Sequence, residues 1–282
     1  MSAPAYYSLL DRVGVWTLRL TAWSVLAFLV LPIVVIVPLS FNVEPFFSFT
    51  PGMLRLDPDA YSLKWYEAIW ADLQWTLAIK NSFIIGIAAT VIATTLGTIA
   101  AIGIASGALP LRGPIMALLL SPMVVPIIII AAGMFFFYAR FGLVGNYAGL
   151  IIAHAALGIP FVIITVSATL AGFDTGLYNA ALGMGATPLR AFRDVILPLI
   201  RPGVISGALF AFVASFDEVV IVLFLAGPEQ RTIPRQMFSG LREQINPTIL
   251  AVATLLILVS VLLLITIELL RRRSERLRGQ DN

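Results

Sequence analysis

Six long and almost uncharged intervals constrain this chain more than any other feature of its sequence. Five of them hold no Asp, Glu, Lys or Arg and cover residues 20–43, 81–111, 113–139, 141–173 and 244–267. The other interval, 202–228, holds Asp217 and Glu218 as its only charges. An α-helix needs about 20 residues to cross the hydrocarbon core of a membrane. The intervals therefore predict an all-α, polytopic membrane protein with six transmembrane helices.

Composition narrows the functions open to such a protein. Apolar residues make up 60% of the 282 residues and charged residues 12%, whereas soluble domains are about 25% charged. With no cysteine and one histidine, His154, a metal centre or an acid–base catalytic site is not expected. We expect one domain over residues 1–282, with no cofactor of its own. The net charge of +3 is attributed to membrane topology rather than to a nucleic-acid partner.

The basic residues favour one orientation in the membrane. With a cytoplasmic N-terminus, eleven of the eighteen Lys and Arg residues lie inside: Arg12, Arg19, Arg112, Arg190, Arg193, Arg201, Arg271, Arg272, Arg273, Arg276 and Arg278. Positive charge collects on the cytoplasmic side of membrane proteins. Six spans return the C-terminus to that side, and segment 174–201, between spans four and five, is cytoplasmic as well.

Segment 174–201 interrupts the apolar pattern with the signals of two short helices. Asp174 is a candidate N-cap for a first helix, and Gly185 can adopt the left-handed conformation that ends one. Thr187 and Pro188 supply a second N-cap and a favourable first helical position.

The second helix of this segment is predicted to be amphipathic. Its apolar residues recur at three- and four-residue spacing: Leu189, Phe192, Val195 and Ile196. Arg190, Arg193 and Asp194 are left on a polar side, Pro198 is expected to end the helix, and Pro202 to open the next span. Two interpretations remain open, an interfacial connector and a rigid element that docks on a partner.

One spacing within the segment is distinctive. Asn-Ala-Ala is followed after three residues by Gly and nine residues later by Val-x-Leu-Pro, at positions Asn179, Ala180, Ala181, Gly185, Val195, Leu197 and Pro198. The pattern resembles the Glu-Ala-Ala loop of ABC importer permeases, in which Gly and then Ile-x-Leu-Pro follow at the same distances. Its place before the penultimate span is also the place it has in that family.

The resemblance implies that this loop docks in a cleft of a cytoplasmic ATPase and couples ATP-driven closure to movement of the membrane helices. The residues it implicates are Asp174, Asn179, Ala180, Ala181, Gly185, Thr187, Pro188, Arg190, Arg193, Leu197 and Pro198. Family members often carry Glu-Glu where this chain has Tyr178 and Asn179. An acidic contact is therefore missing at these positions, and Asp174 or Asp194 is a candidate to replace it.

Further stretches resemble the spermidine/putrescine type of these permeases. Residues 215–227 and 231–260 are similar to the last two spans of that type, and residues 61–69 to an outer loop. The resemblance implies the type I permease fold in the bacterial inner membrane and transport by alternating access. It also implies a second permease subunit, a periplasmic binding protein and two ATPase subunits. The sequence contains no Gly-x-x-x-x-Gly-Lys-Ser/Thr loop, so ATP and Mg²⁺ are expected on the ATPase subunits.

Asp217 and Glu218 are candidates for the substrate pathway. Ionisable residues inside membrane spans usually face a bundle interior or an aqueous cavity. Adjacent helical residues point about 100° apart, so one of the two is expected to face the pathway, and the alternative is an ion pair or a capping contact. A carboxylate there suits a small, polyamine-like cation. His154 is expected to be a hydrogen-bonded residue between helices.

Two other functions are alternatives to the importer permease. An ion-coupled secondary carrier would use Asp217 or Glu218 as its coupling site, but the sequence contains no inverted repeat. An intramembrane enzyme would need a convergent nucleophile or metal set, and no such set is visible.

Overall fold

Helices make up nearly the whole structure, a computed structural model that describes residues 9–106, 109–172, 175–243 and 246–277. In chain order they are α1 (Leu9–Leu39), α2 (Pro51–Leu54), α3 (Lys64–Ala71), α4 (Leu73–Ala105), α5 (Arg112–Val124), α6 (Ile127–Ala139), α7 (Tyr147–Leu170), α8 (Thr175–Gly183), α9 (Pro188–Ala191), α10 (Leu197–Phe216), α11 (Val220–Leu225), α12 (Ile233–Glu243) and α13 (Thr248–Leu277). Single 3₁₀ turns occur at Pro58–Ala60 and Pro228–Gln230, and a π-helical turn at Phe192–Ile196. The all-α prediction is confirmed.

The number of membrane spans agrees with the prediction only in part. Four helical stretches in the described residues are long and apolar enough to cross a membrane: Val13–Leu39, Leu73–Ala105, Tyr147–Leu170 and Pro188–Phe216. Helices α5 and α6 make a fifth span if the bent pair counts as one, and α13 contributes a shorter apolar helix, Thr248–Leu262. Each of the six predicted intervals thus contains helix among its described residues, but a count of six spans is not established.

Proline causes the bend between α5 and α6. The two helices meet at 104°, and Val125 between them is extended, with φ −74° and ψ 134°. Pro126 follows it, and the ring of a proline pushes the preceding residue out of the helical region. Pro126 also has no N–H to continue the hydrogen-bond ladder of α5. The third predicted span is therefore two half-length helices.

The fifth predicted span differs from the expected continuous helix over residues 202–228. Helix α10 ends at Phe216, residues 217–219 are not helical, and α11 resumes at Val220. At its other end, α10 continues through the π-helical turn into α9, so one apolar helical stretch covers Pro188–Phe216. The break falls on Asp217 and Glu218, the two candidates for the substrate pathway.

The described helices form two compact units. One comprises Met1–Ala71 with Gly240–Thr266, and the other Asp72–Ser239 with Ile267–Asn282. In the first unit the stretch after α1 is folded back on itself. The buried Asn42 amide donates to Phe46 O and Ser48 O at 3.2 and 3.1 Å, and Trp65 Nε1 donates to Asn42 O at 2.7 Å. The expectation of a single domain stays a prediction.

Small residues hold the second unit together where α4, α7 and α10 meet. A Cβ on Gly97 of α4 would lie 2.7 Å from Val162 Cβ of α7, and one on Gly207 of α10 would lie 2.8 Å from Val162 Cα. Between apolar helices in a lipid environment, close backbone approach supplies the dispersion contact that drives association. This glycine seam joins the three helices side by side.

Gly97→Ala is expected to destabilise the protein, because the new methyl group would overlap Val162 and the backbone around it. Overpacking a tight core costs about 1–3 kcal/mol, so the midpoint of thermal unfolding in detergent should fall. Gly133→Ala in α6 is the matched control, since a Cβ there meets nothing within 4 Å and alanine favours the helix. An unchanged midpoint for Gly97→Ala would contradict the seam.

Candidate coupling segment and helix-break site

Helix α8 ends in a complete Schellman motif. Gly185 has φ +88°, its N–H donates to Leu182 O at 2.9 Å, and the Ala186 N–H donates to Ala181 O at 3.1 Å. These two bonds satisfy carbonyls that would otherwise lack donors at the end of the helix. The predicted left-handed conformation at Gly185 is confirmed. It turns the chain sharply between α8 and α9.

The second cap is also as predicted. Thr187 is extended, with φ −68° and ψ 155°, and its hydroxyl accepts the Arg190 N–H at 3.4 Å. Pro188 occupies the first turn of α9, where its missing N–H removes no intrahelical bond. Two caps therefore meet back to back across residues 184–187.

Pro198 does not end the helix, so that expectation was wrong. The Leu197 N–H donates to Phe192 O, five residues earlier, and closes the π-helical turn Phe192–Ile196. A π turn changes the hydrogen-bond register by one residue. Pro198 then falls in the first turn of α10, where a proline is tolerated. The wider turn carries the chain through Pro198 without interrupting the helix.

The predicted coupling residues are mostly on the surface of this segment. Exposed members are Asn179, Ala180, Gly185, Thr187, Pro188, Arg190, Arg193, Leu197 and Pro198. Ala181 is buried, as is Ala191 of α9, and Asp174 lies outside the described residues. Arg190 Nε lies 3.5 Å from Asp194 Oδ2 in an exposed pair. Such i,i+4 pairs contribute only about 0.3–0.5 kcal/mol to stability, so either side chain could leave the pair to bind a partner protein.

Two apolar side chains flank the turn and were not predicted to be exposed. Met184 is 84% exposed and Leu189 77% exposed. Leu189 was placed on the apolar side of the second helix together with Phe192, Val195 and Ile196. These three are half-buried, whereas no described part of the chain covers Leu189. An apolar residue between two turn-forming glycines, as in Gly-Met-Gly, is the sequence signal that could have revealed Met184.

Asp217 and Glu218 lie at the break after α10 and have different surroundings. Asp217 is exposed, and its N–H donates to Val213 O at 3.0 Å. Glu218 Oε1 accepts the Ile221 N–H at 2.9 Å, which caps the first turn of α11. Within the described ranges the Asp217 carboxylate forms no ion pair. The structure thus separates a capping acid from an acid with no charged partner.

Aromatic rings lie beside the break. The ring of Phe216, the residue before Asp217, stacks on Phe212 at a centroid distance of 5.3 Å and meets Phe83 of α4 edge-on at 5.4 Å. Aromatic faces attract cations, and the rings themselves are apolar. The carboxylate of Asp217 therefore follows directly on a cluster of three phenylalanines.

His154 is a hydrogen-bonded residue between helices, as predicted. It is 1% exposed in α7, and its Nδ1 lies 2.8 Å from Ser215 Oγ and 3.1 Å from Ser215 O in α10. Buried polar groups are normally hydrogen-bonded, and the bond partner of this ring is on α10. The contact therefore links α7 to α10 at Ser215.

A polar network that the sequence did not reveal holds the stretch after α11. The buried Asn81 amide of α4 donates to Glu229 O at 2.8 Å and to Arg231 O at 2.9 Å, while its oxygen accepts the Tyr147 hydroxyl at 2.7 Å. Ser82 Oγ accepts the Ile233 N–H at 2.8 Å. These bonds fix residues 229–233 on the ends of α4 and α7 that lie opposite to the coupling segment.

Comparisons with known proteins identify the family. Residues 93–276 match the model of the binding-protein-dependent transport system inner membrane component. The putrescine transport system permease protein PotI of Escherichia coli is 32% identical over 237 residues, which are 82% of each chain. The spermidine/putrescine transport system permease protein PotC of Haemophilus influenzae is 29% identical, over 89% of this chain and 94% of its own.

A solved structure shares the fold. It is a bacterial ABC transporter involved in the import of the acidic polysaccharide alginate, and its chain matches with a TM-score of 0.70 at 16% identity, over 96% of this chain and 99% of that one. Together with the sequence matches, this shared fold supports the all-α architecture of an ABC importer permease. The chain belongs to the family of binding-protein-dependent transport system inner membrane components.

Proposed function

We propose that this permease subunit of an ABC importer moves a small organic cation of the polyamine type, which a periplasmic binding protein delivers. The two relatives named for putrescine and spermidine/putrescine transport support this class of cargo. The fold alone does not select it, because the structural relative with the same fold serves an acidic polysaccharide. The choice between cationic and anionic cargo must therefore come from particular side chains.

The main support for a cationic cargo is the Asp217 carboxylate. It is exposed at the break of a membrane-spanning helix and has no ion-pair partner in the described part of the chain. Asp217 directly follows the membrane-spanning stretch Pro188–Phe216, and ionisable residues in membrane spans usually face an aqueous cavity or a substrate path. The rings of Phe83, Phe212 and Phe216 cluster at the residue before Asp217 and would suit the alkyl and ammonium parts of a polyamine.

Segment 174–201 is proposed to dock on a cytoplasmic ATPase subunit, with the N- and C-termini on the same side. The exposed Met184 and Leu189 would supply an apolar contact where the family's acidic pair is replaced by Tyr178 and Asn179. Arg193 would add a cationic contact at the rim. ATP and Mg²⁺ belong to the ATPase subunits in this arrangement, and a second permease subunit completes the passage.

Helical continuity offers a mechanism for alternating access. The stretch Pro188–Phe216 has 29 residues and, at 1.5 Å per residue, is about 43 Å long. It runs from the docking turn to the break at Asp217. The glycine seam ties α10 to α7 and α4, so movement of the docking segment would displace all three helices together. ATP binding supplies the free-energy difference between the two conformations.

Reconstitution tests this function against the ion-coupled carrier. In proteoliposomes holding the permease pair, the ATPase subunits and the binding protein, putrescine uptake is expected only when Mg-ATP is present on the ATPase side. Omitting the ATPase subunits or replacing ATP with a non-hydrolysable analogue is the control. Uptake of putrescine by the purified chain alone, driven by an ion gradient, would overturn the importer.

A further inference from the structure

His154 contacts α10 at a special point of that helix. Ser215 belongs to the last turn of α10, where the carbonyls run out of intrahelical donors because the helix ends at Phe216. The Ser215 carbonyl can only accept a hydrogen bond, so Nδ1 donates to it when the ring carries its proton there. In the other tautomer Nδ1 accepts the Ser215 hydroxyl instead. In either tautomer the imidazole is hydrogen-bonded to the last turn of α10 at Ser215, two residues before Asp217.

The surroundings hold the histidine firmly in place. One turn along α7 from His154, a Cβ on Gly158 would lie 3.1 Å from both Ala93 Cβ of α4 and Ala211 Cβ of α10. Ala211 lies one turn before Ser215 on α10. The backbones of three helices are therefore in contact next to the His154–Ser215 pair, and the ring has little room to change its direction.

Beyond Phe216 the chain loses this support. Asp217 is exposed, and residues 217–219 are not helical. The bond from Glu218 reaches forward to α11, since Oε1 accepts the Ile221 N–H. The direction of Asp217 consequently depends on where the last turn of α10 is held, and His154 holds that turn through both the carbonyl and the hydroxyl of Ser215.

We propose that His154 is a positioning residue: its Nδ1 holds the last turn of α10 at Ser215 and thereby directs the Asp217 carboxylate into the passage. The proposal rests on the cargo role assigned to Asp217 above. It assigns no proton transfer to the imidazole, and Nε2, which is buried without a hydrogen-bond partner among the described residues, does not take part.

Substitution of His154 by asparagine or by glutamine distinguishes a role of Nδ1 from a role of Nε2. The side-chain nitrogen of asparagine is attached to Cγ, as Nδ1 is, whereas the nitrogen of glutamine reaches about as far as Nε2. His154→Asn therefore keeps a donor for Ser215, and His154→Gln does not keep it in the same place. Both substitutions are polar and similar in size, so they form a matched pair when His154→Leu fails to fold.

The experiment uses the complete transporter in proteoliposomes, with putrescine as the probe. Uptake is expected to fall about ten-fold in His154→Gln and His154→Leu and to stay within about two-fold of the parent in His154→Asn. A cysteine placed at Val219 reports the geometry of the break, because the chain has no other cysteine. Its labelling rate by a small methanethiosulfonate reagent should rise in the Gln and Leu variants alone.

Parental uptake and labelling in His154→Gln would overturn the proposal, as would rescue by Gln without rescue by Asn. The labelling result does not depend on what Asp217 binds. A change in labelling together with normal uptake in Asp217→Asn would reject the cargo role of Asp217 while leaving His154 as the residue that positions the break. Unchanged labelling in both the Gln and Leu variants would reject the positioning role whatever the cargo.

Discussion

Gly185→Val is expected to separate ATP hydrolysis from cargo uptake. At φ +88° a β-branched residue is strained by about 1–3 kcal/mol, and the two Schellman bonds to Leu182 and Ala181 cannot form without that conformation. The turn that presents Met184 and Leu189 would then open. We expect putrescine uptake in proteoliposomes to fall about ten-fold or more, while the ATPase subunits continue to hydrolyse ATP.

Gly183→Val is the matched control for this experiment. A Cβ at either glycine meets nothing within 4 Å, but Gly183 is the last residue of α8 and has no positive φ. The two variants therefore add the same side chain to equally open positions and differ in backbone strain. Equal uptake by both variants would show that the shape of the turn is not needed for coupling.

The caps of the coupling segment could be predicted because they depend on neighbours in sequence. A threonine followed by proline, and a glycine at the end of a short apolar run, stabilise the ends of helices through bonds that span two to five residues. The geometry of Gly185 and Thr187 follows from such local rules. The long uncharged intervals predicted where the helices lie, because this signal is also read from consecutive residues.

Features that depend on distant contacts were missed. The π-helical turn before Pro198 arises where α9 joins α10 with hydrogen bonds shifted by one residue. No residue type within Phe192–Ile196 predicts that shift. Leu189 was predicted to share an apolar side with Phe192, Val195 and Ile196, but α9 ends after four residues and the described chain leaves Leu189 exposed. Asn81 is one polar residue in an apolar span, and its three partners come from positions 66 to 150 residues away.

The candidate site at the break was predicted as a pair of acids in a continuous helix, and the helix proved to be interrupted. Side-chain chemistry explains part of this difference. An acid at the start of a helix can cap it, and Glu218 does so for α11. Asp217 is left as the acid whose charge has no counterion among the described residues. The sequence could not show which of the two acids caps α11, because both are carboxylates in the same apolar surroundings.

Asp217→Asn is expected to lower putrescine uptake about ten-fold or more, since a hydrogen bond to a charged group is worth about 1.5–3 kcal/mol. The substitution keeps the size and polarity of the side chain, so the break and the fold should persist. Uptake should be measured with the wild-type binding protein, so that delivery of the cargo is unchanged. ATP hydrolysis by the assembled transporter gives the reference for intact coupling.

Glu218→Gln is the control that the structure supplies for this prediction. The glutamine oxygen can still accept the Ile221 N–H, so α11 stays capped while one negative charge is removed from the same break. If charge near the passage were enough, both neutral variants would lose uptake equally. Loss in Asp217→Asn alone would assign the cation to the exposed carboxylate, and loss in Glu218→Gln alone would exclude Asp217 and move the cargo contact to the start of α11.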